Sequence, residues 1–296
     1  MKSRSVDGVL VVDKPMGPTS SDVVVRVRRL LRGEKVGHTG TLDPLATGVL
    51  PLCLGRATRL VQFLALDDKE YRATARLGIR TDTGDSEGRT LEERPVPELS
   101  PQAIEQALAT LRGDQLQRPP MYSAVKVGGE RLYEIARRGG EVERAARPIR
   151  VDRFDLASAD GATLVLDVRC SKGTYVRTLV EDLGERLGCG AHLTALRRLR
   201  SGQFGLAGAV TLDELERAPD REALAREQAV PLAGALAGLP SVRLGEREAA
   251  GVRHGRLPRL EAQGRVALLG PAGELLAIAE TEGEKPRLAC VLAPAR

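Results

Sequence analysis

The chain has 296 residues, 42% hydrophobic and 29% charged, which gives room for two domains and a sizeable core in a globular protein. Its net charge of +5 points to a polyanionic partner. No apolar run is long enough for a membrane span and the N-terminus lacks a signal peptide's apolar core, so no membrane and a cytoplasmic setting are expected. Cys53, Cys170, Cys189 and Cys290 form no Cys-x-x-Cys pair. They indicate neither a zinc site nor a disulfide framework and read as buried free thiols in a reducing compartment.

Residues 8–15, Gly-Val-Leu-Val-Val-Asp-Lys-Pro, read as a buried strand ending at a turn. Ser20 or Ser21 caps a helix that runs to Arg32 and is closed by Gly33. Its apolar face is Val23, Val24, Val27, Leu30 and Leu31. Arg26, Arg28, Arg29 and Arg32 form either a solvated face or a set of phosphate contacts.

Residues 37–48, Gly-His-Thr-Gly-Thr-Leu-Asp-Pro-Leu-Ala-Thr-Gly, form a shaped loop around a lone carboxylate, Asp43, and one of only three histidines, His38. The Gly-Lys-Ser/Thr of a phosphate loop is missing. By residue chemistry alone, Asp43 caps a turn and His38 is a hydrogen-bonded loop residue.

A short strand at 49–54 and a short helix at 57–66 follow. Residues 69–78 alternate, with Tyr71, Ala73, Ala75 and Leu77 on one side, as in a half-buried strand. Residues 81–88 form a polar loop whose acids lack calcium-loop spacing. Ser100 caps a helix with Pro101 at its first position and Ile104, Leu108 and Leu111 on one face. The pattern breaks at 118–126, and a short basic helix is expected at 131–138. From 131 to 153 seven Arg stand against four acids, in a Gly-punctuated segment that is either a polyanion grip or an exposed hairpin.

The alternation returns at 163–170 and runs through a turn into a helix with Val176, Leu179, Val180, Leu183 and Leu187 inward, ended by Gly188. That places Tyr175 and Arg177 at a helix N-terminus, where backbone N–H groups suit an anion. A basic stretch, 192–200, follows. Thr211 and Glu214 form a capping box. After a linker at 233–240, only strand-like runs are visible, at 241–244, 265–269, 275–279 and 288–292, as in a small all-β module.

The run from His38 to Gly48 resembles the catalytic-aspartate motif of the tRNA pseudouridine-55 synthases, the bacterial TruB family. Residues 8–15, Tyr71 to Gly78 with Thr81-Asp82-Thr83, Met121 to Lys126, Cys170 to Thr178 and Gly188 to Leu193 resemble the same family in its order. Together they span roughly residues 8 to 215.

The resemblance implies an α+β chain with the pseudouridine-synthase fold, a mixed, largely antiparallel sheet with flanking helices around a central cleft, plus a small all-β PUA-like C-terminal module. The domains expected are 1–236, catalytic, with an RNA-gripping insertion at about 118–153, and 240–296, RNA-binding. The reaction implied is isomerisation of one uridine in the T-arm of tRNA, with no metal and no cofactor, by a monomer that needs no guide RNA.

A base inside a stacked loop must be flipped out before it can react. The resemblance assigns His38 to the gap, Tyr71 and Tyr175 to the ring, Asp43 to the chemistry, Arg177 to Asp43, and Leu196 to the base. Lys14 and Pro15 line the same cleft. Tyr71 also doubles as platform and base for the C5 proton. With four Tyr, three Phe and no Trp, few other side chains are available for stacking. On residue chemistry alone, Leu196 reads as core packing and the two tyrosines remain open. No matched residue lies beyond about 240, so a chain ending near Pro240 is expected to fold and keep some turnover.

Two other readings compete. A non-catalytic RNA-binding protein or RNA chaperone explains the charge but not a shaped loop around an acid. A guide-RNA-dependent pseudouridine synthase subunit, of the same superfamily, depends on partners, whereas the basic 118–153 insertion suggests a protein that grips tRNA by itself. A glycosidase needs two carboxylates and the motif supplies one.

Overall fold

The computed structural model describes residues 6–282 and 285–292. The chain forms two compact units. One comprises Met1–Leu42, Val49–Ala65 and Gln203–Arg296, and the other Asp43–Gly48 and Leu66–Gly202.

Along the described residues the strands are β1 (Gly8–Lys14), β2 (Val36–His38), β3 (Ala46–Leu54), β4 (Lys69–Leu77), β5 (Ile79–Thr81), β6 (Thr90–Glu93), β7 (Gly113–Gln117), β8 (Lys126–Val127), β9 (Glu130–Arg131), β10 (Arg147–Asp160), β11 (Thr163–Cys170), β12 (Ala191–Ser201), β13 (Phe204–Gly205), β14 (Val210–Thr211), β15 (Ser241–Arg243), β16 (Arg265–Leu269), β17 (Leu275–Glu280) and β18 (Arg287–Val291). The helices are α1 (Ser20–Leu30), α2 (Val61–Leu64), α3 (Pro101–Ala109), α4 (Leu132–Arg137), α5 (Val176–Arg186), α6 (Leu212–Arg217), α7 (Arg221–Gln228) and α8 (Glu246–Arg253).

The second unit is built on a mixed, largely antiparallel sheet. The first residues of β3 run parallel to β12, with Leu196 opposite Ala46 and Arg198 opposite Gly48. On its other side β12 is antiparallel to β4, which sets Leu196 against Ala73 and Arg198 against Tyr71. β11, β10 and β7 continue the sheet antiparallel. β4 buries Tyr71, Ala73, Ala75 and Leu77 as its alternation requires. α5 buries Val176, Leu179, Val180 and Leu183.

The 14-residue strand β10 was not expected. Its period is interrupted by register shifts at Val151/Arg153 and Leu156/Ser158, which hides the alternation. Residues 147–153, read as part of the basic loop, therefore belong to the sheet, while 126–137 form the β8–β9 hairpin and α4. On α4, Tyr133 lies under the guanidinium groups of Arg131 and Arg137, 5.8 and 5.4 Å from its ring centre.

In the first unit α1 is capped by Thr19, in a capping box with Asp22, rather than by Ser20 or Ser21. Ser20 instead turns inward: its hydroxyl accepts from the Leu42 N–H (2.7 Å) and donates to the Leu42 carbonyl (3.1 Å). The helix start therefore anchors the residue that precedes Asp43 in the chain.

β15–β18 form a four-stranded sheet close to the runs expected. The reading of strands alone beyond Ser241 missed α8, which buries only Ala249 and Val252. Two inward residues in eight leave too narrow an apolar stripe to read as a period.

Ala267, Leu275, Ile278 and Leu292 share one core with Val9, Val11, Cys53, Leu60 and Phe63. The Arg59 guanidinium donates to the Val291 carbonyl at 2.6 Å. A chain ending near Pro240, expected to fold and keep some turnover, would therefore expose part of that core to water. Cys53, Cys170 and Cys189 are buried free thiols as expected, whereas Cys290, on β18, is only half-buried; burial pushes the Cys53 and Cys170 thiols up to about 12.

Candidate active site

Asp43 opens a tight turn. Its carbonyl accepts from the Ala46 N–H at 3.0 Å, and Pro44 occupies the second position, where its fixed φ suits such a turn. The chain then enters β3 through Thr47 and Gly48. Gly48 has φ +99°, and a Cβ there would lie 2.2 Å from the Arg198 carbonyl oxygen. Only glycine lets the end of the acid loop lie this close to β12.

Arg177, in the first turn of α5, meets this turn. Its Nε lies 3.0 Å from the Asp43 carboxylate and 3.7 Å from that of Asp85. Nη1 donates to the Thr83 carbonyl (2.6 Å) and Nη2 to the Tyr122 carbonyl (2.7 Å). The Arg177 side chain is 5% exposed and that of Asp43 39%. A buried guanidinium held on several sides therefore presents one edge to a carboxylate that stays open to a ligand. Lysine could not reproduce this fork.

Asp85 is itself buried. Its carboxylate accepts from the Thr83 hydroxyl (2.6 Å) and the Glu87 N–H (3.1 Å). Its loop is strung on β12 through bonds from the Leu193 N–H to the Gly84 carbonyl (3.0 Å) and from the Ser86 N–H to the Leu193 carbonyl (2.9 Å). Glu181, one turn beyond Arg177 on α5, is pushed up to about 7 by burial, against the pull of the Arg177 charge.

Burial also pushes the Tyr71 and Tyr175 phenols above their ordinary value. Arg198 opposes the shift at Tyr71, and the Asp43 charge adds to it at both. Each is therefore a neutral phenol near neutral pH. Lys69, two residues from Tyr71 on the same face of β4, is brought down to about 8 by burial and by the Arg198 charge.

Asp43, Tyr71, Tyr175, Arg177 and Leu196 all lie in the second unit. Leu196 is buried on β12 between Ala46, which closes the Asp43 turn, and Ala73, two residues from Tyr71. His38, Lys14 and Pro15 lie in the first unit. There His38 ends β2 opposite Leu52, the Lys14 ammonium is fully buried and donates to the Pro15 carbonyl (2.9 Å), and Pro15 is exposed.

Sequence reasoning passed over three residues of the site. Asp85 reads in sequence as part of a plain polar loop. Arg198 belongs in sequence to the basic stretch 192–200, yet it is 1% exposed. Period-two spacing from Leu196 places Arg198 on the inward face, and that signal was available. Gln117, buried at the end of β7, bonds the Tyr175 backbone.

Two family models match the chain. One, described as the TruB family pseudouridylate synthase (N terminal domain), covers residues 28–176. The other, the tRNA pseudouridylate synthase B C-terminal domain, covers 177–237. The chain is similar to the tRNA pseudouridine synthase B of Ralstonia nicotianae, 48% identical over 95% of this chain and 92% of that protein. It is also similar to that of Pseudomonas aeruginosa, 56% identical over 72% of this chain and 70% of that one.

Among solved structures it is similar to a chain of a Cbf5-Nop10-Gar1 complex, with a TM-score of 0.76 and 30% identity over 98% of this chain and 86% of that one. A chain of an H/ACA RNP bound to a substrate RNA containing 2′-deoxyuridine gives a TM-score of 0.74 at 27% identity, over 97% and 86% of the two chains. With the acid turn, its buried arginine and matches of this length, the chain belongs to the TruB family of pseudouridylate synthases.

Proposed function

We propose that this protein isomerises the uridine at position 55, in the T-arm loop of tRNA, to pseudouridine. The observation that carries the reading is the Asp43 carboxylate, open on one side and held 3.0 Å from the buried Arg177, in a chain whose relatives at about half identity are named tRNA pseudouridine synthase B.

The reaction needs the base out of the stack. His38 fills the gap it leaves. The Tyr71 ring supports the flipped base, while Tyr175, Leu196, Lys14 and Pro15 line its site. Asp43 acts at the base or the sugar as the C1′–N1 bond breaks, and Arg177 keeps its carboxylate aimed. The base turns, C1′ bonds C5, and N1 takes a proton. The C5 proton leaves to the Tyr71 oxygen, directly or through water, as the neutral phenol passes its own hydroxyl proton on to water. Its loss restores the conjugated ring, so a weak base suffices. Atoms balance with no redox step.

In this reading residues 1–236 are the catalytic domain and 118–153 grip RNA, with Arg137 of α4 and the flanking Arg131 and Arg138 as phosphate contacts. Residues 240–296 are a PUA-like RNA-binding module, and the protein works as a cytoplasmic monomer without a guide RNA. Among the described residues no helix is long and apolar enough to cross a membrane. Purified protein and unmodified tRNA, with no other RNA or protein, should give multiple turnovers. A need for a guide or partner would overturn the guide-free reading, and stoichiometric binding without product would favour an RNA chaperone.

A further inference from the structure

Tyr175 is the N-cap residue of α5, and its side chain makes no capping bond. Its backbone is held from outside the helix. The Tyr175 N–H donates to Gln117 Oε1 at 2.8 Å, and Gln117 Nε2 donates to the Tyr175 carbonyl at 3.1 Å. One side-chain amide thus bonds both polar groups of one residue, as a paired strand would. Glutamine alone combines this reach with a donor and an acceptor. Asparagine is shorter, and glutamate carries a donor only when protonated.

Gln117 is buried at the end of β7, opposite Arg147 of β10, so its own position is fixed by the sheet. The residue after it opens the 118–153 segment. That segment touches the same turn again, where the Tyr122 carbonyl accepts from Arg177 Nη2 at 2.7 Å.

We propose that Gln117 is a positioning residue for the reaction. Its amide fixes the Tyr175 backbone, and through it the direction of the Tyr175 ring and the placing of Arg177 on Asp43. The inference rests on the reading of Asp43, Tyr175 and Arg177 as the reacting machinery. It adds that the root of the insertion and the catalytic turn are held together by one side chain.

The test uses the full chain and a tRNA transcript. Gln117→Met keeps length and removes both bonds. Gln117→Glu keeps the acceptor and regains the donor only when protonated. Single-turnover rate at saturating protein, the tRNA Kd and Tm are measured for each. The Met variant should lose about tenfold to a hundredfold in rate, the size expected when a reacting group is misplaced by about 1 Å, with Kd changed by less than about threefold. The Glu variant should be slow at about pH 8 and recover relative to wild type toward about pH 6, a dependence the Met variant lacks.

A Met variant with wild-type rate, or one that loses affinity at unchanged rate, overturns the proposal. If the Met variant does not fold, the Glu variant decides, and a flat relative pH profile overturns it. Arg177→Lys is run alongside. Wild-type turnover there would sink the underlying reading of Arg177, whereas a slow Arg177→Lys beside a normal Gln117→Met would remove the role of Gln117 alone.

Discussion

Gly48→Ala tests whether the acid loop is set by its contact with β12. The added Cβ would lie 2.2 Å from the Arg198 carbonyl oxygen and 3.0 Å from its carbonyl carbon and nitrogen. All three are backbone atoms of a central strand, so no flexible side chain can move aside. Ordinary contact begins near 3.4 Å, so the strands must part by about 1.2 Å, enough to break hydrogen bonds of normal length. Two broken ladder bonds cost about 1–3 kcal/mol. The left-handed φ adds about 1–2 kcal/mol. The sum, about 2–5 kcal/mol, is a large share of a domain's usual 5–15 kcal/mol.

Gly113→Ala is the control. Its φ is +86° and nothing lies within 4 Å, so only the backbone term remains. Urea unfolding of the two variants separates clash from strain, and single-turnover kinetics report whether Asp43 has moved. If Gly48→Ala loses no more stability than Gly113→Ala and keeps its rate, the wedge between loop and strand does not set the site.

Tyr71→Phe should fold and bind tRNA nearly normally yet form pseudouridine orders of magnitude more slowly, and Tyr71→Leu should in addition lose stacking worth about 1–3 kcal/mol. A Phe variant at near wild-type rate would assign the C5 proton to another group. Glu181 has a folded pKa raised from 4.5 to about 7, so the folded state loses stability as pH rises from the unfolded value through the folded one. Glu181→Gln should therefore stabilise by on the order of 2–3 kcal/mol at about pH 8 and hardly at all below about pH 4, and an equal effect at both would contradict burial as the cause. A chain ending at Pro240 should show a lowered Tm and bind a hydrophobic dye, because Leu60 and Phe63 lose Ile278 and Leu292; an unchanged Tm would show that core to be dispensable.

Much of the fold is legible in the sequence where one period runs unbroken. β11 begins and ends at the residues the alternation marks, and β16 matches its run. β10 is not legible because bulges break its period, and α8 because its apolar stripe is too narrow. The acid loop is visible in its glycines and its lone carboxylate. What it meets is not visible locally. Arg177 lies 134 positions from Asp43, and the resemblance pairs them where spacing cannot. Asp85 and Gln117 act through tertiary burial, which leaves no mark on a polar loop or a strand end. Arg198 is the instructive miss, since period two pointed inward while its charge argued for the surface.

The central claim is that Asp43 carries the chemistry on tRNA. Its most direct test is mapping pseudouridine, nucleotide by nucleotide, in unmodified tRNA treated with purified wild-type or Asp43→Asn protein, with tRNA affinity measured for both. The account predicts pseudouridine at position 55 with wild type, none with Asp43→Asn, and comparable binding by the two. Appreciable product from carefully purified Asp43→Asn protein, or product at another position with wild type, would contradict it.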